Sequence, residues 1–182
     1  RCDAIAKETL DYLEELNKRT FLVIELGLQT IHESTSKLIN RGHTLKEFED
    51  MYKKLKDNNI KVVVHIINGL PYETKEDILS TAEYIGKTAN GIKLQLMHIL
   101  KNTKLLEMYE KGEFKALTEK EYIEIVCEII SILPREMVIH RLTGDGNPDE
   151  LIAPLWSLRK LQVLNGINHR LKELDIIQGI KS

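Results

Sequence analysis

Hydrophobic positions along the chain switch repeatedly between a helical period and an extended one. Ile5, Tyr12, Leu13 and Leu16 recur at helical spacing over residues 4–17, and residues 21–28 (Phe-Leu-Val-Ile-Glu-Leu-Gly-Leu) then read as a strand. A polar connection containing Glu33-Ser34-Thr35-Ser36 follows. Thr44 and Glu47 have the spacing of a capping box and open a helix carrying Leu45, Phe48, Tyr52 and Leu55. Residues 60–67 predict a second strand, stopped by Asn68-Gly69-Leu70-Pro71, where Pro withholds a donor and Gly permits positive φ. Thr74 opens a helix with Ile78, Ala82 and Ile85, residues 92–100 predict a third strand, and a less regular helical piece lies around 105–109. A second capping box, Thr118 with Glu121, precedes Tyr122, Ile123, Val126, Ile130 and Leu133. Residues 136–142 predict a fourth strand, and 151–177 read as helix, broken in two by Gly166. Such alternation predicts an α/β protein with a parallel sheet and crossover helices.

Successive side chains of a strand point to opposite faces, so each run can be divided. One face is apolar throughout: Leu22, Ile24, Leu26 and Leu28; Val62, Val64 and Ile66; Ile92, Leu94 and Leu96; Met137 and Ile139. The other carries Glu25, Gly27 and Gln29, then Lys61, Val63, His65 and Ile67, then Lys93, Gln95 and Met97, then Glu136, Val138 and His140. A parallel sheet covered on both sides reads apolar on both, and a buried unpaired carboxylate is costly. The polar face is therefore expected either to see solvent or to line the interior of a (β/α) barrel, with the barrel favoured and Glu25, Gln95 and His140 lining its cavity. Glu25 could equally pair with Lys61 or Lys93. Four strands do not close a barrel, which predicts a partial (β/α) barrel with a C-terminal helical extension, divided at residues 1–114 and 115–182.

Composition narrows the chemistry. The 182 residues, 42% hydrophobic and 30% charged, suit one domain with a real core. Twenty-six basic against 28 acidic side chains, a net charge of -2, provide no field for polyanions. Cys2 and Cys127 are the only cysteines, too few for a disulfide framework or for a zinc or iron-sulfur site built from this chain's thiolates alone; a reducing, cytoplasmic setting is expected. No stretch is long and apolar enough to span a membrane, and without an initiating Met the chain reads as part of a longer protein. Its exposed sheet edges predict self-association. His32, His43, His98 and His169 show no metal-ligand spacing and are read as structural, so no metal is assigned. Cys127 is expected to be an inert core thiol, and Cys2 an exposed one prone to intermolecular disulfides. Gly144-Asp145-Gly146 reads as a turn or as a backbone grip for phosphate.

The stretch from Glu25-Leu-Gly-Leu-Gln29 to Arg41-Gly-His43 resembles the fourth strand, loop and following helix of radical S-adenosylmethionine (SAM) enzymes of the oxygen-independent coproporphyrinogen oxidase and Elongator catalytic-subunit types. His65-Ile-Ile-Asn-Gly69-Leu-Pro71-Tyr72-Glu73-Thr74 resembles the family's Gly-Leu-Pro-Gly-Glu-Thr turn after the fifth strand, with Tyr72 in place of Gly. His140-Arg141-Leu-Thr-Gly144-Asp-Gly146 and Ala153-Pro154-Leu-Trp156 resemble the C-terminal part of a YhcC-like radical SAM group. The resemblance covers nearly the whole chain. It implies a partial barrel of an oxidoreductase-type enzyme that holds a [4Fe-4S] cluster and SAM and cleaves SAM to a 5′-deoxyadenosyl radical. The cluster loop, CxxxCxxC, is not found here, so this chain is expected to be inactive alone and to bind neither cofactor stably. By matching motif, Gln29 and Arg41 would face the ribose and carboxylate of SAM, the backbone ending at Gly69 its adenine, and His65 would stand where an acidic contact is usual. The substrate is left open, with RNA admitted only through the Elongator kinship; no catalytic residue is identified. A cluster-independent lyase or hydrolase using Glu25, His65 and His140, or a non-catalytic domain docking a partner on its polar face, are the rival readings.

Overall fold

A computed structural model describes residues 1–182. After a 3-10 turn at Cys2–Ala4 the chain forms α1 (Lys7–Asn17), β1 (Val23–Gln29), α2 (Glu33–Leu38), α3 (Leu45–Asp57), β2 (Lys61–Asn68) and α4 (Lys75–Thr88). It continues through β3 (Gly91–Leu96), β4 (Ile99–Leu100), α5 (Lys104–Glu110), α6 (Glu119–Ile132), β5 (Val138–Arg141), β6 (Leu151–Ala153), a second 3-10 turn at Leu155–Leu158, and α7 (Lys160–Glu173). The main sheet has four parallel strands in the order β1-β2-β3-β5, and β4 pairs antiparallel with β6 apart from it. The expected α/β class and parallel sheet are therefore observed.

Register explains the core. Leu26, Val64, Ile92 and Ile139 stand side by side across the four strands. With Leu28, Val62, Ile66, Leu94 and Leu96 they form the apolar face, packed against Phe48 and Leu55 of α3, Ile78, Ala82 and Ile85 of α4, and Tyr122, Val126 and Ile129 of α6. The opposite face is largely uncovered: Lys61, Glu25, Val138 and His140 are exposed. Its C-terminal end is roofed, where Leu70, Met97, Ile99 and Ala153 gather Ile67 and the α5 side chains Leu105 and Leu106 into a second, smaller core, and Val63 between β1 and β3 is also buried. The expected boundary at 114/115 lies between α5 and α6, and the main core runs across it to Val163 and Ile167 of α7.

Local chemistry sets the helix starts. Thr44 with Glu47 and Thr118 with Glu121 close both expected capping boxes, and Thr74 closes a third with Asp77.

Several local expectations are corrected. The polar 33–36 connection lies within helix α2, because Glu33 is held from outside: its Oε1 accepts from Leu45 N at 2.6 Å. The 92–100 run splits after Leu96, where Met97 N turns to Asn68 O at 3.0 Å, and its end becomes β4. Leu151–Ala153, read as helix, is a strand because β4 offers it a partner, and periodicity does not distinguish so short an apolar run. Gly166 does not break α7; it lets α7 approach α6, since a Cβ there would come within 2.6 Å of Ile123 Cδ1. Cys2, expected at the surface, is only 2% exposed, because the first 3-10 turn packs on α3. Cys127 is the expected core thiol, with its pKa pushed up to about 11 by burial.

Candidate functional site

The uncovered face of the sheet collects charge at its centre. Glu25 on β1 accepts from Lys93 Nζ on β3 at 2.5 Å and from His65 Nε2 on β2 at 2.8 Å. On the far side of the ring, Gln95 Nε2 lies 3.0 Å from His65 Nδ1. These partners select one tautomer: the Nε2–H donates to the carboxylate while Nδ1 accepts from the amide. The result is a continuous Lys93, Glu25, His65, Gln95 chain across three strands. Side-chain exposure of 47% for Glu25, 23% for His65 and 19% for Lys93 keeps it open to a ligand. The Lys93 hydrogen bond, followed by that of His65, holds the Glu25 pKa below the usual glutamate value.

Lys93, rather than Lys61, is thus the partner of Glu25. His140 does not join the chain; it stands beside Gly91, where a Cβ would meet its Nε2 at 2.8 Å.

The loop after β1 is built around two of the expected residues. Gln29 has a φ of 64° and sits at a register shift, with its side-chain amide folded over Gly27. A Cβ on Gly27 would lie 2.4 Å from that amide, so Gly makes the fold-back feasible. In the orientation that satisfies both ends, the amide donates to Leu28 O at 3.0 Å and Gly27 O at 3.2 Å. Arg41 lies beneath the loop, its side chain 2% exposed. It donates to Leu28 O at 2.9 Å, Thr30 O at 2.6 Å and His43 O at 2.8 Å. Its Nη2 alone has no hydrogen bond and lies 3.5 Å from Glu33.

The turn after β2 is joined to this loop. Thr30 Oγ1 donates to Glu73 Oε1 at 2.6 Å, a clasp not foreseen from sequence, and burial raises the Glu73 pKa above the usual glutamate value despite it. Gly69 has a φ of 86° and no room for a Cβ, which would meet Leu117 Cδ1 at 2.8 Å. Tyr72, a non-glycine residue, adopts a left-handed conformation with a φ of 65°, and its hydroxyl donates to Glu113 at 3.2 Å. A cleft of about 250 Å³ between the two loops is lined by His32, Ser34, Thr35, Leu38 and the Pro71–Glu73 turn, with Asp77 at its edge.

Residues 2–85 match the Radical SAM superfamily, and residues 89–173 match the Radical_SAM C-terminal domain. The chain belongs to the radical SAM superfamily. It is 43% identical to YtqA of Bacillus subtilis over 98% of its own length and 56% of that protein's. Identity to YhcC of Escherichia coli is 34% over 86% of this chain and 51% of that one, in keeping with a YhcC-like radical SAM group. The archaeal Methanocaldococcus infernus Elp3 with an N-terminal deletion superposes with a TM-score of 0.82 at 22% identity, covering 98% of this chain and 41% of that one, and shares its fold. This radical SAM chain spans about half the length of the curated relatives it matches. No helix in it is long and apolar enough to cross a membrane.

Proposed function

We propose that this chain is the SAM-facing part of a cytoplasmic radical SAM oxidoreductase-type enzyme whose cluster is held by residues outside it. The observation that carries the reading is the open polar face: a parallel sheet in this superfamily with a carboxylate, an imidazole, an ammonium and an amide linked on its uncovered side.

The donor set of this chain suits one of the two groups the family uses and not the other. Cys2 and Cys127 are the two thiols, one in the first turn and one in α6, and they do not fit a [4Fe-4S] cluster, which needs at least three. The cluster is accordingly not assigned to residues of this chain. The open face does fit SAM: Glu25 offers an anion to a sulfonium or ammonium, and Gln95, whose amide oxygen and second N–H are not taken by His65, offers hydrogen bonds to ribose hydroxyls. SAM, when bound at a reduced cluster, supplies the 5′-deoxyadenosyl radical.

The chain's own residues bind and orient. Glu25, held ionised by Lys93, attracts the cationic centre, while His65 is fixed in its ring orientation by Glu25 and Gln95. Gln29 and the backbone ending at Gly69 border the ribose and adenine. Arg41 acts as a positioning residue, holding the Leu28, Thr30 and His43 carbonyls that shape the loop beside the SAM carboxylate, with its buried Nη2 turned to Glu33. Alone, the chain is inactive.

The test uses the protein with its upstream residues, reconstituted anaerobically with iron and sulfide, reduced, and assayed for 5′-deoxyadenosine. Cleavage of SAM is expected, with Glu25→Gln raising the KM for SAM more than it lowers kcat. An upstream region without three clustered cysteines, or no cleavage from a fully loaded cluster, overturns the reading. Added RNA tests the substrate class; with a net charge of -2 this chain supplies no general attraction for it.

A further inference from the structure

A second cluster lies where the first 3-10 turn meets the bend between α2 and α3. Cys2 Sγ, a carboxylate oxygen of Asp3 and a ring nitrogen of His43 all lie within 4.8 Å of one another. The His43 side chain is 1% exposed, and neither of its nitrogens has a hydrogen-bond partner. An imidazole buried with both nitrogens unpaired is costly and calls for a partner. Its Nδ1 faces Asp3 Oδ1 at 3.9 Å, too far for a hydrogen bond. Cys2 is as buried as His43, whereas the Asp3 side chain is 34% exposed and gives the cluster its door to solvent.

We propose that Cys2, Asp3 and His43 bind a thiophilic divalent cation, best zinc(II), with the fourth position left to water. One sulfur, one nitrogen and one oxygen donor suit a borderline-soft, tetrahedral ion and disfavour magnesium or calcium. Donors about 2.0–2.3 Å from such an ion stand about 3.3–3.8 Å apart, so the present cluster closes by side-chain shifts of about 1 Å. Asp3 makes the larger movement because it is the exposed member.

Charge balances as well. On binding, the Cys2 thiol releases one proton to solvent, and thiolate plus carboxylate then offset the two positive charges of the ion. No electron moves. The groups facing the site include two cations. Arg1 grips Asp3 through Nε at 3.0 Å and Nη2 at 2.6 Å, and binding would take one of these two bonds. Arg41 is turned toward carbonyls and toward Glu33. The ion would tie the chain's first turn to the bend that Arg41 braces, and the inference stands independently of the SAM reading.

The experiment uses this chain, stripped with chelator and titrated with zinc against a chromophoric competitor, and with cobalt(II) followed by absorption. One zinc per chain, a thiolate-to-cobalt charge-transfer band and a zinc-dependent rise in Tm are expected. Cys2→Ser and His43→Gln should each weaken zinc binding by roughly tenfold or more, and Cys127→Ser should leave it unchanged. Should His43→Gln fail to fold, Cys2→Ser and Asp3→Asn decide. No stoichiometric zinc uptake, no thiolate band, or undiminished binding by Cys2→Ser overturns the site.

Discussion

The two faces of one sheet divide the labour of this protein. On the helix-covered face, Leu28, Val62, Val64, Ile92 and Leu94 are each 0% exposed, and burial of such a side chain stabilises by about 1.5–3 kcal/mol. On the open face, residues one position away in the same strands form partly exposed ion pairs, a type of contact worth about 0–1 kcal/mol. Stability comes from one face, while the other is free to carry chemistry. The strand's period of two makes this separation available within a single segment.

The sharpest test of that contrast uses neighbours on β3. Ile92→Ala should lower the unfolding free energy in urea by about 3–4 kcal/mol, whereas Lys93→Gln should lower it by less than about 1 kcal/mol. Equal losses would mean that the open face is structural after all. Arg41 crosses the division, being polar yet buried. Arg41→Ala should cost about 3 kcal/mol by releasing three carbonyls, and faster hydrogen exchange confined to the β1–α2 loop would show where. Tyr72→Gly tests the rim between the faces: relief of the positive φ should stabilise by about 1 kcal/mol, net of the lost Glu113 contact.

Smaller effects appear with pH. Glu121 has a lowered pKa, first through its bond to the Thr118 amide, so its native state binds protons less readily than the unfolded chain. Its contribution is whole above the usual glutamate value and is lost as pH falls through the lower native one; Glu121→Gln should flatten the acid limb of a stability-pH curve. Glu73, raised by burial, has the opposite sign. Its contribution is present below the usual glutamate value and is lost as pH rises through the raised one. Glu73→Gln should therefore stabilise at neutral pH, by an amount that disappears on acidification.

Legibility followed the range of the interactions. The Thr44/Glu47 and Thr118/Glu121 boxes are local and were readable from spacing, as was the two-faced pattern of the strands. The link between Glu25 and Lys93 was one of two options and needed strand order to choose, since β3 lies two strands from β1. Gly166 looked like a break because glycine weakens an isolated helix, while its packing partner Ile123 lies far away in sequence. The Thr30–Glu73 clasp and the Cys2, Asp3, His43 cluster had no local signal at all. Metal-ligand spacing is a rule about neighbours, and 40 residues separate Asp3 from His43.

By itself the sequence determined the alternation of elements, the apolar and polar strand faces, the capped helix starts and the order of family motifs, because each depends on period or short-range hydrogen bonding. Tertiary structure alone decided which charges meet, that the Arg41 guanidinium turns inward to carbonyls, that Leu151–Ala153 is a strand, and that a thiol and an imidazole are buried side by side. Those outcomes depend on strand order and on which surfaces are covered, and no run of neighbouring residues contains that information.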